Sequence, residues 1–568
     1  MGAPNRGNRR NFLSACAAAG TVISAGGGLF HAAVARAAVA GDKFYRFNPP
    51  PVLPANADRP DRQGNWGDQG DGTFVNPILP ADYSDIDVIR VGEDYYFISS
   101  TFQFSPGIII LHSRDLVNWT IVGHVIADLT RITPELNWNR MNRYGRGVWA
   151  PAIRYHNKKF RVYVCTPNEG IFMSTAEHIT GPWTPIHAVM RAGGWDDPCP
   201  FWDDDGQGYL VTTHFSDGYK IYLFKLTADG RGIIPHSGRV IHQSRGSEAN
   251  KLYKINGWYY HYYSQVQREG RVPMMDRSRH IYGPWETRQL MHVNPRIDRE
   301  PNQGGFVSTA AGQWWFLTQQ GTGQWDGRAC CLLPVTWVED WPIIGRIGSD
   351  GIGNMVWRDR MPIRGHTCRI PQTSDSFYRP VLAVQWEWNY QPRAEKWSLT
   401  DRPGYLRLYA FKPLRSNNLL TAGNTLTQRV FKTNSNVVTV QMDISGMTDG
   451  QHAGICHFAS HFWTIGAARR GGKSHFAFNH NGKLTYGPAI SSTAVWFRSI
   501  WDIGGQSRFS FSLDGRRFVA FGDKFRLAWG FYRGDRIGIF NFNNKADSGH
   551  VDVKYFHYAL AAPRAMST

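Results

Sequence analysis

A turn followed by an aromatic-rich strand recurs five times along this chain, and few folds accommodate such a pattern. The copies read VIRVGEDYYFISS from Val88, AIRYHNKKFRVYVC from Ala152, PFWDDDGQGYLVTT from Pro200, KLYKINGWYYHYYS from Lys251 and FVSTAAGQWWFLTQ from Phe306. In the first copy, runs of β-branched and aromatic residues flank Gly92-Glu93-Asp94, which is turn chemistry, so each copy predicts a hairpin. A spacing of roughly 50 to 65 residues is longer than a hairpin needs and suits a four-stranded blade with its loops. Laid out flat, such hairpins would expose their aromatic faces. Radial closure buries those faces between blades and leaves one channel end for a site. The expected fold is therefore all-β, a five-bladed β-propeller over residues 76–345.

The chain has 568 residues, too many for one ordinary core, and its 59 Gly, 31 Pro and 22 Trp favour short strands joined by turns. After a Gly/Pro/Arg-rich linker crossing at 346–376, VVTVQMDIS, SHFAFNH, SRFSFSLD, RIGIFNF and VDVKYFHY alternate with a period of two. That pattern predicts a β-sandwich over 377–562. Trp386 and Trp388, two apart, are weighed between stacking on a saccharide and packing in the core.

At the other end, Arg9-Arg10-Asn11-Phe12-Leu13 has the twin-arginine pattern, followed by an Ala/Gly-rich apolar run that ends in Ala38-Val39-Ala40. Residues 1–40 are read as a signal peptide and 41–75 as an N-terminal extension. The expected location is periplasmic or extracellular, with no membrane insertion once the signal is removed. A formal charge of +18 invites a nucleic-acid reading, but the Lys and Arg residues are scattered without a binding signature, so no nucleic-acid partner is expected. A basic envelope could also draw in uronate-bearing polysaccharide. The six cysteines beyond the signal are scattered, against both a disulfide framework and a zinc site, and adjacent Cys330 and Cys331 should point to opposite faces of a strand.

Asp82, Asp85 and Asp87 crowd the entrance to the first hairpin. Asp197 precedes the third copy and Glu248 the fourth, and the three acids Asp85, Asp197 and Glu248 are assigned equivalent blade positions. Inner strands converge on the propeller axis, so acids far apart in sequence can meet there. Carboxylates without a cysteine or metal cluster suit glycoside hydrolysis, in which one acid protonates the leaving oxygen and another activates water or attacks carbon. A third can raise the pKa of the acid by like charge. No cofactor or metal is required. Asp203-Asp204-Asp205-Gly206 lacks the alternating ligands of an EF-hand and is expected to be a hairpin turn, so structural calcium has no support. His112 is expected to be a core or edge histidine.

NPILPADYSDIDVIRVGEDYYFISSTF, SRDLVNW, GVWAPAIRY, WDDPCPFWDDDG, RSRHIYGPWE and PNQGGFVST together resemble glycoside hydrolase family 43, from Asn76 onward. LAVQWEWN, WSLTDRPGYLRLYA and GHVDVKYFHY resemble the concanavalin-like module that accompanies one of its subgroups. The resemblance implies an inverting β-xylosidase or α-L-arabinofuranosidase in which Asp85 is the general base, Glu248 the general acid and Asp197 the pKa modulator. It also implies that Arg328 contacts the sugar. Phe104 and Trp149 are candidates for the pocket wall or for blade core, and Trp325 and Arg328 for loops that narrow the channel. Some features depart from the family pattern. Ser84 and Ile86 stand where prolines are usual, Asp196 competes with Asp197, and Gln303-Gly304-Gly305 replaces a His near the axis.

An inverting enzyme needs its two carboxyls about 6.5 to 9.5 Å apart to admit water. The expected partner is an oligosaccharide or polysaccharide, attacked from the chain end. The alternatives are a non-catalytic saccharide-binding propeller and a retaining fructan-acting enzyme. The latter would carry Arg-Asp-Pro where this chain has Asp196-Asp197-Pro198.

Overall fold

The strands of the computed structural model gather into five blades and a two-sheet sandwich, all within one compact unit spanning Tyr45–Thr568. The structure describes residues 52–54, 56–59, 63–293, 301, 303–321 and 323–561. The twin-arginine segment lies outside them. Among the described residues the regular elements are strands and short 3-10 helices.

Blade 1 is the sheet Asp87–Val91, Asp94–Ser99, Gly107–Ser113 and Thr120–Ile126. Blades 2, 3 and 4 open with inner strands Trp149–His156, Trp195–Trp202 and Glu248–Ile255, each the first of four antiparallel neighbours. Blade 5 is built differently. Its inner strand Gly304–Ser308 leads through Trp314–Gln320 to Ala329–Val338, on which both Trp341–Ile344 and the early strand Leu79–Asp82 pair. A strand from the front of the chain thus closes the ring. Just before it, the buried Asn76 side chain donates to the carbonyls of Leu332 and Val356 and accepts from Leu332 N, each at 2.8 Å.

The aromatic repeats follow from burial on both faces. In Trp258–Val266 of blade 4, Tyr259 and Tyr263 pack with Cys199 and Val211 of blade 3, whereas Tyr260 and Tyr262 pack with Phe306 and Phe316 of blade 5. The period of two sends alternate rings to opposite neighbours, so a nearly continuous aromatic run is what such a strand requires. Cys330 and Cys331 obey the same rule, entering two different clusters. His112 is half-buried on the third strand of blade 1, paired with Tyr96 and Thr120 and bonded to Asp94 at 2.6 Å, and Asp203 of the Asp-rich turn is taken up by Lys254 and Tyr259.

The sandwich stacks two eight-stranded sheets. The first runs Lys483–Ala489, Lys473–His480, Phe462–Arg470, Gln451–Phe458, Arg536–Asn543, Leu426–Arg429 and Glu387–Asn389. It ends on Phe104–Ser105, a strand supplied by the propeller. That edge corrects one expectation. Phe104 is fully buried against Phe458, with the guanidinium carbons of Arg533 and Arg536 4.8 and 4.4 Å from its ring, so it cannot wall a sugar pocket. Trp325 is likewise buried: its ring packs near Gly505, where an added Cβ would lie 2.6 Å away, and its carbonyl accepts from Asp535 N. It therefore joins propeller to sandwich and does not narrow the channel. Trp386 and Trp388 are core residues as well, Trp386 against Phe556 and Trp388 against Trp397, which excludes the stacking alternative.

Candidate active site

Three inner strands carry the same irregularity. Pairing with the second strand slips between Trp149 and Ala152, between Asp196 and Cys199, and between Glu248 and Lys251. At each slip one non-glycine residue takes a left-handed backbone: Ala150 at φ 34°, Asp197 at 49° and Ala249 at 70°. Asp85, two residues before blade 1, joins them at φ 56°. Such bulges interrupt the ladder and re-aim side chains next to functional sites, at a local cost of about 1–2 kcal/mol per left-handed residue.

This register corrects the assumed equivalence of the three acids. Asp197 corresponds to Ala150 and Ala249, while Glu248 corresponds to Asp196 and Trp149, one residue earlier. Burial follows the same division. Ala150, Asp197 and Ala249 are buried, and Trp149, Asp196 and Glu248 keep partial exposure. The earlier residue of each bulge faces the channel mouth and the later one supports it from behind.

Of the three aspartates at the first strand entrance, only Asp85 belongs to the channel. Asp82 is buried and accepts from Arg328 N at 3.0 Å; Asp87 is buried and pairs with Arg154 at 2.7 Å while accepting from Ile153 N. Asp85 receives both terminal nitrogens of Arg328, at 2.7 and 3.3 Å, and the Ser100 hydroxyl at 2.6 Å. Gly327 makes this delivery possible. Its φ is +76°, and a Cβ there would lie 2.4 Å from the Asp82 carboxylate.

Asp197 is clamped from both sides. Ala249 N donates to Oδ2 at 2.7 Å and Gln303 Nε2 to Oδ1 at 2.6 Å, bonds that favour the charged carboxylate against the burial that raises its pKa. Burial also pushes the Glu248 carboxyl up to about 7. Arg271, 3.2 Å away, opposes the shift, and the charges of Asp197 and Asp85 add to it. Glu248 and Asp197 therefore both sense the Asp85 charge across one channel.

The wall is completed by the second domain. Gly530 and Arg533 form a bridge around Phe531 and Tyr532, both left-handed, at φ 47° and 70°. A two-residue turn of this kind favours Asn-Gly; here it exposes two aromatic rings, 57% and 55% accessible. The Tyr532 ring meets Trp149 edge-on at 5.4 Å, and its carbonyl accepts from Arg328 at 2.9 Å. Trp149, weighed from sequence between pocket wall and blade core, therefore stands beside this turn and keeps partial exposure. Tyr532, Ser100 and Arg271 were not identified as site residues from sequence, and Gln303 was noted only for standing near the axis where the family has a His. An aromatic pair in a tight turn carries no recognisable motif, and the others acquire meaning only through the partners they meet. Among the described residues no cluster of His, Cys, Asp or Glu is arranged to hold a metal ion.

Comparison with known proteins identifies both domains. Residues 74–342 match the model for glycosyl hydrolases family 43, and 374–559 that for the β-xylosidase C-terminal concanavalin A-like domain. A β-xylosidase of Formosa agariphila is 36% identical over 552 residues, covering 88% of this chain and 93% of its own. A non-reducing-end α-L-arabinofuranosidase of Bacteroides ovatus is 30% identical over 364 residues, 59% of this chain and 65% of that one. The crystal structure of a GH43 protein from Bacillus licheniformis superposes with a TM-score of 0.74 at 25% identity, over 86% of this chain and all of that one. The chain is a glycosidase, and with both of its domains matched it belongs to glycosyl hydrolases family 43.

Proposed function

We propose that this enzyme removes terminal β-D-xylose or α-L-arabinofuranose from hemicellulose-derived oligosaccharides by single displacement with inversion. The observation that carries the reading is a carboxyl held near pH 7, Glu248, in one channel with a second carboxylate, Asp85, that is held by a guanidinium and a hydroxyl. Glu248 protonates the departing oxygen. Asp85 takes a proton from water; each carboxylate oxygen accepts more than one hydrogen bond, so the Arg328 and Ser100 contacts leave it that capacity. Burial keeps the acid protonated, and Asp197, buried behind Glu248, adds its charge to that effect. Arg328, fixed between Asp85 and the sandwich, is placed to meet the sugar beside the base. The aromatic turn of the sandwich narrows the mouth and favours a chain end over an internal bond.

The test pairs aryl β-D-xyloside and aryl α-L-arabinofuranoside with linear xylo-oligosaccharides, following products by NMR. Monosaccharide released first, in the inverted configuration, is expected with both aryl substrates, because the two sugars present similar hydroxyls near the anomeric carbon. Retention would overturn single displacement, no turnover would mean that neither pentoside is its substrate, and early mid-length fragments would reject exo action.

Three further results are expected. Asp197→Asn removes a negative charge that raises the Glu248 pKa, so that pKa should fall and the basic limb of the pH–rate profile should move to lower pH. An unchanged profile would remove Asp197 from the tuning role. Replacing the aromatic turn by Phe531→Asn with Tyr532→Gly installs the residues this turn prefers. Thermal stability should hold or rise while KM increases about 10-fold, as expected for loss of a wall contact with sugar; an unchanged KM would exclude the turn from binding. For export, Arg9→Lys with Arg10→Lys is expected to trap the protein in the cytoplasm on cell fractionation.

A further inference from the structure

We propose that Asp196 is a substrate-binding carboxylate, holding a hydroxyl of the terminal sugar through its Oδ2 and making that hydroxyl a condition for productive binding. The inference rests on the glycosidase reading above and adds a residue and a selectivity to it.

Three observations lead there. Asp196 pairs with Thr213 at the bulge of blade 3, where Glu248 pairs with Ser264 at the bulge of blade 4 and Trp149 with Cys165 at that of blade 2. All three are the partly exposed residue that precedes a buried, left-handed one. By register, Asp196 stands between the aromatic wall and the acid, facing the same mouth. Next, its two oxygens are used unequally. Oδ1 accepts from the Cys165 thiol at 3.0 Å and from Asp197 N at 2.9 Å, which fixes the plane of the carboxyl, whereas Oδ2 accepts nothing from the described residues. An oxygen held rigidly in a sugar channel without a protein partner is a ready hydrogen-bonding group for a hydroxyl, and it costs little entropy to use. Finally, the tuning of Glu248 is already performed by Asp197, whose two oxygens are both taken. Burial, with the Asp197 charge behind it, holds the Asp196 carboxyl well above its ordinary range, so Oδ2 can donate as well as accept.

The experiment is a cycle between protein and sugar. Asp196→Ala and wild type are compared on aryl β-D-xyloside and on its 2-, 3- and 4-deoxy analogues. The variant should lose about 10- to 100-fold in kcat/KM on the parent, the range for leaving a buried hydroxyl without its hydrogen-bond partner. It should lose less than about 2-fold on the one analogue that lacks the hydroxyl Asp196 holds. Asp196→Asn, nearly the same shape, should recover part of the loss, and the pH profile should keep its limbs. Equal losses on the parent and every analogue, or a moved basic limb, would overturn the proposal and make Asp196 a structural or tuning residue.

The same comparison by calorimetry on Glu248→Gln, with free xylose, arabinose and monodeoxy xyloses, reads the contact without turnover. If wild type cleaves no pentoside, the functional reading fails by itself. Affinity lost equally for every sugar, or not at all, overturns the Asp196 contact.

Discussion

Glu248→Gln and Asp85→Asn are each expected to lower kcat on natural oligosaccharides by about 10²- to 10⁴-fold, the range of a positioned general acid or base. The two roles separate by leaving group and by nucleophile. An aryl glycoside whose phenolate leaves without protonation should restore most of the rate to Glu248→Gln and none to Asp85→Asn. Azide should partly rescue Asp85→Ala by taking the place of water, giving a glycosyl azide of inverted configuration. Near-normal turnover in either variant would refute its role.

Stability moves in a different sense, which guards against mistaking misfolding for lost chemistry. The Glu248 pKa lies at about 7 in the folded chain against 4.5 in the open one, so between those values the folded state binds more protons than the unfolded. Raising the pH through that window costs stability. Gln carries no such titration, so Glu248→Gln should unfold no earlier than wild type at pH 8, as thermal melts would record.

Glu387→Gln is expected to be the most destabilising single change at the seam between the domains, by about 3–5 kcal/mol. Its fully buried carboxylate faces Arg429 and Arg536, each at 2.8 Å, and His124 of blade 1 at 3.3 Å. Arg429 also donates to the Asp82 carbonyl in the strand that closes the ring. Neutralising the one carboxylate leaves two guanidiniums in a site where burial already pulls Arg536 down to about 10. Burial opposes the charged form of Glu387, but Arg429, Arg536 and His124 outweigh it and hold the carboxyl well below its usual range. A depressed carboxylate contributes stability that is present above its unfolded value of 4.5 and lost as the pH falls below it. Wild type should therefore weaken in acid through this residue, and Glu387→Gln should lack that component. A urea midpoint for the full chain unmoved by the substitution would show that the cluster contributes little.

The five blades were legible because a strand packed on both faces must be apolar or aromatic nearly throughout, and the turn between two such strands needs Gly, Asn or Asp. Both requirements are local. Asp85, Asp197 and Glu248 could be singled out for the same reason, each standing just before a repeat. The one-residue offset of Glu248 could not be read, because it depends on which residue takes the left-handed backbone at the bulge, and Asp197 and Ala249 advertise nothing of that kind. Phe104, Trp325, Trp386 and Trp388 failed as binding candidates for a related reason. An aromatic residue has the same sequence signature in a sugar pocket and at a domain seam, and only the partner across the gap separates the two.

What the sequence by itself determined is the repeat, the closure it demands, the sandwich periodicity and the presence of acids at blade entrances, since these follow from burial and turn chemistry over a few neighbouring residues. Tertiary structure alone decided that Asp196 shares the mouth with Glu248 and Trp149, and that Arg328 joins Asp85, 243 residues before it, to Tyr532, 204 residues after it. It also decided that Phe104 completes a sheet of the other domain. Each of these is a contact between residues distant in sequence, fixed by strand register and domain docking, and the free energy that selects it belongs to the assembled fold.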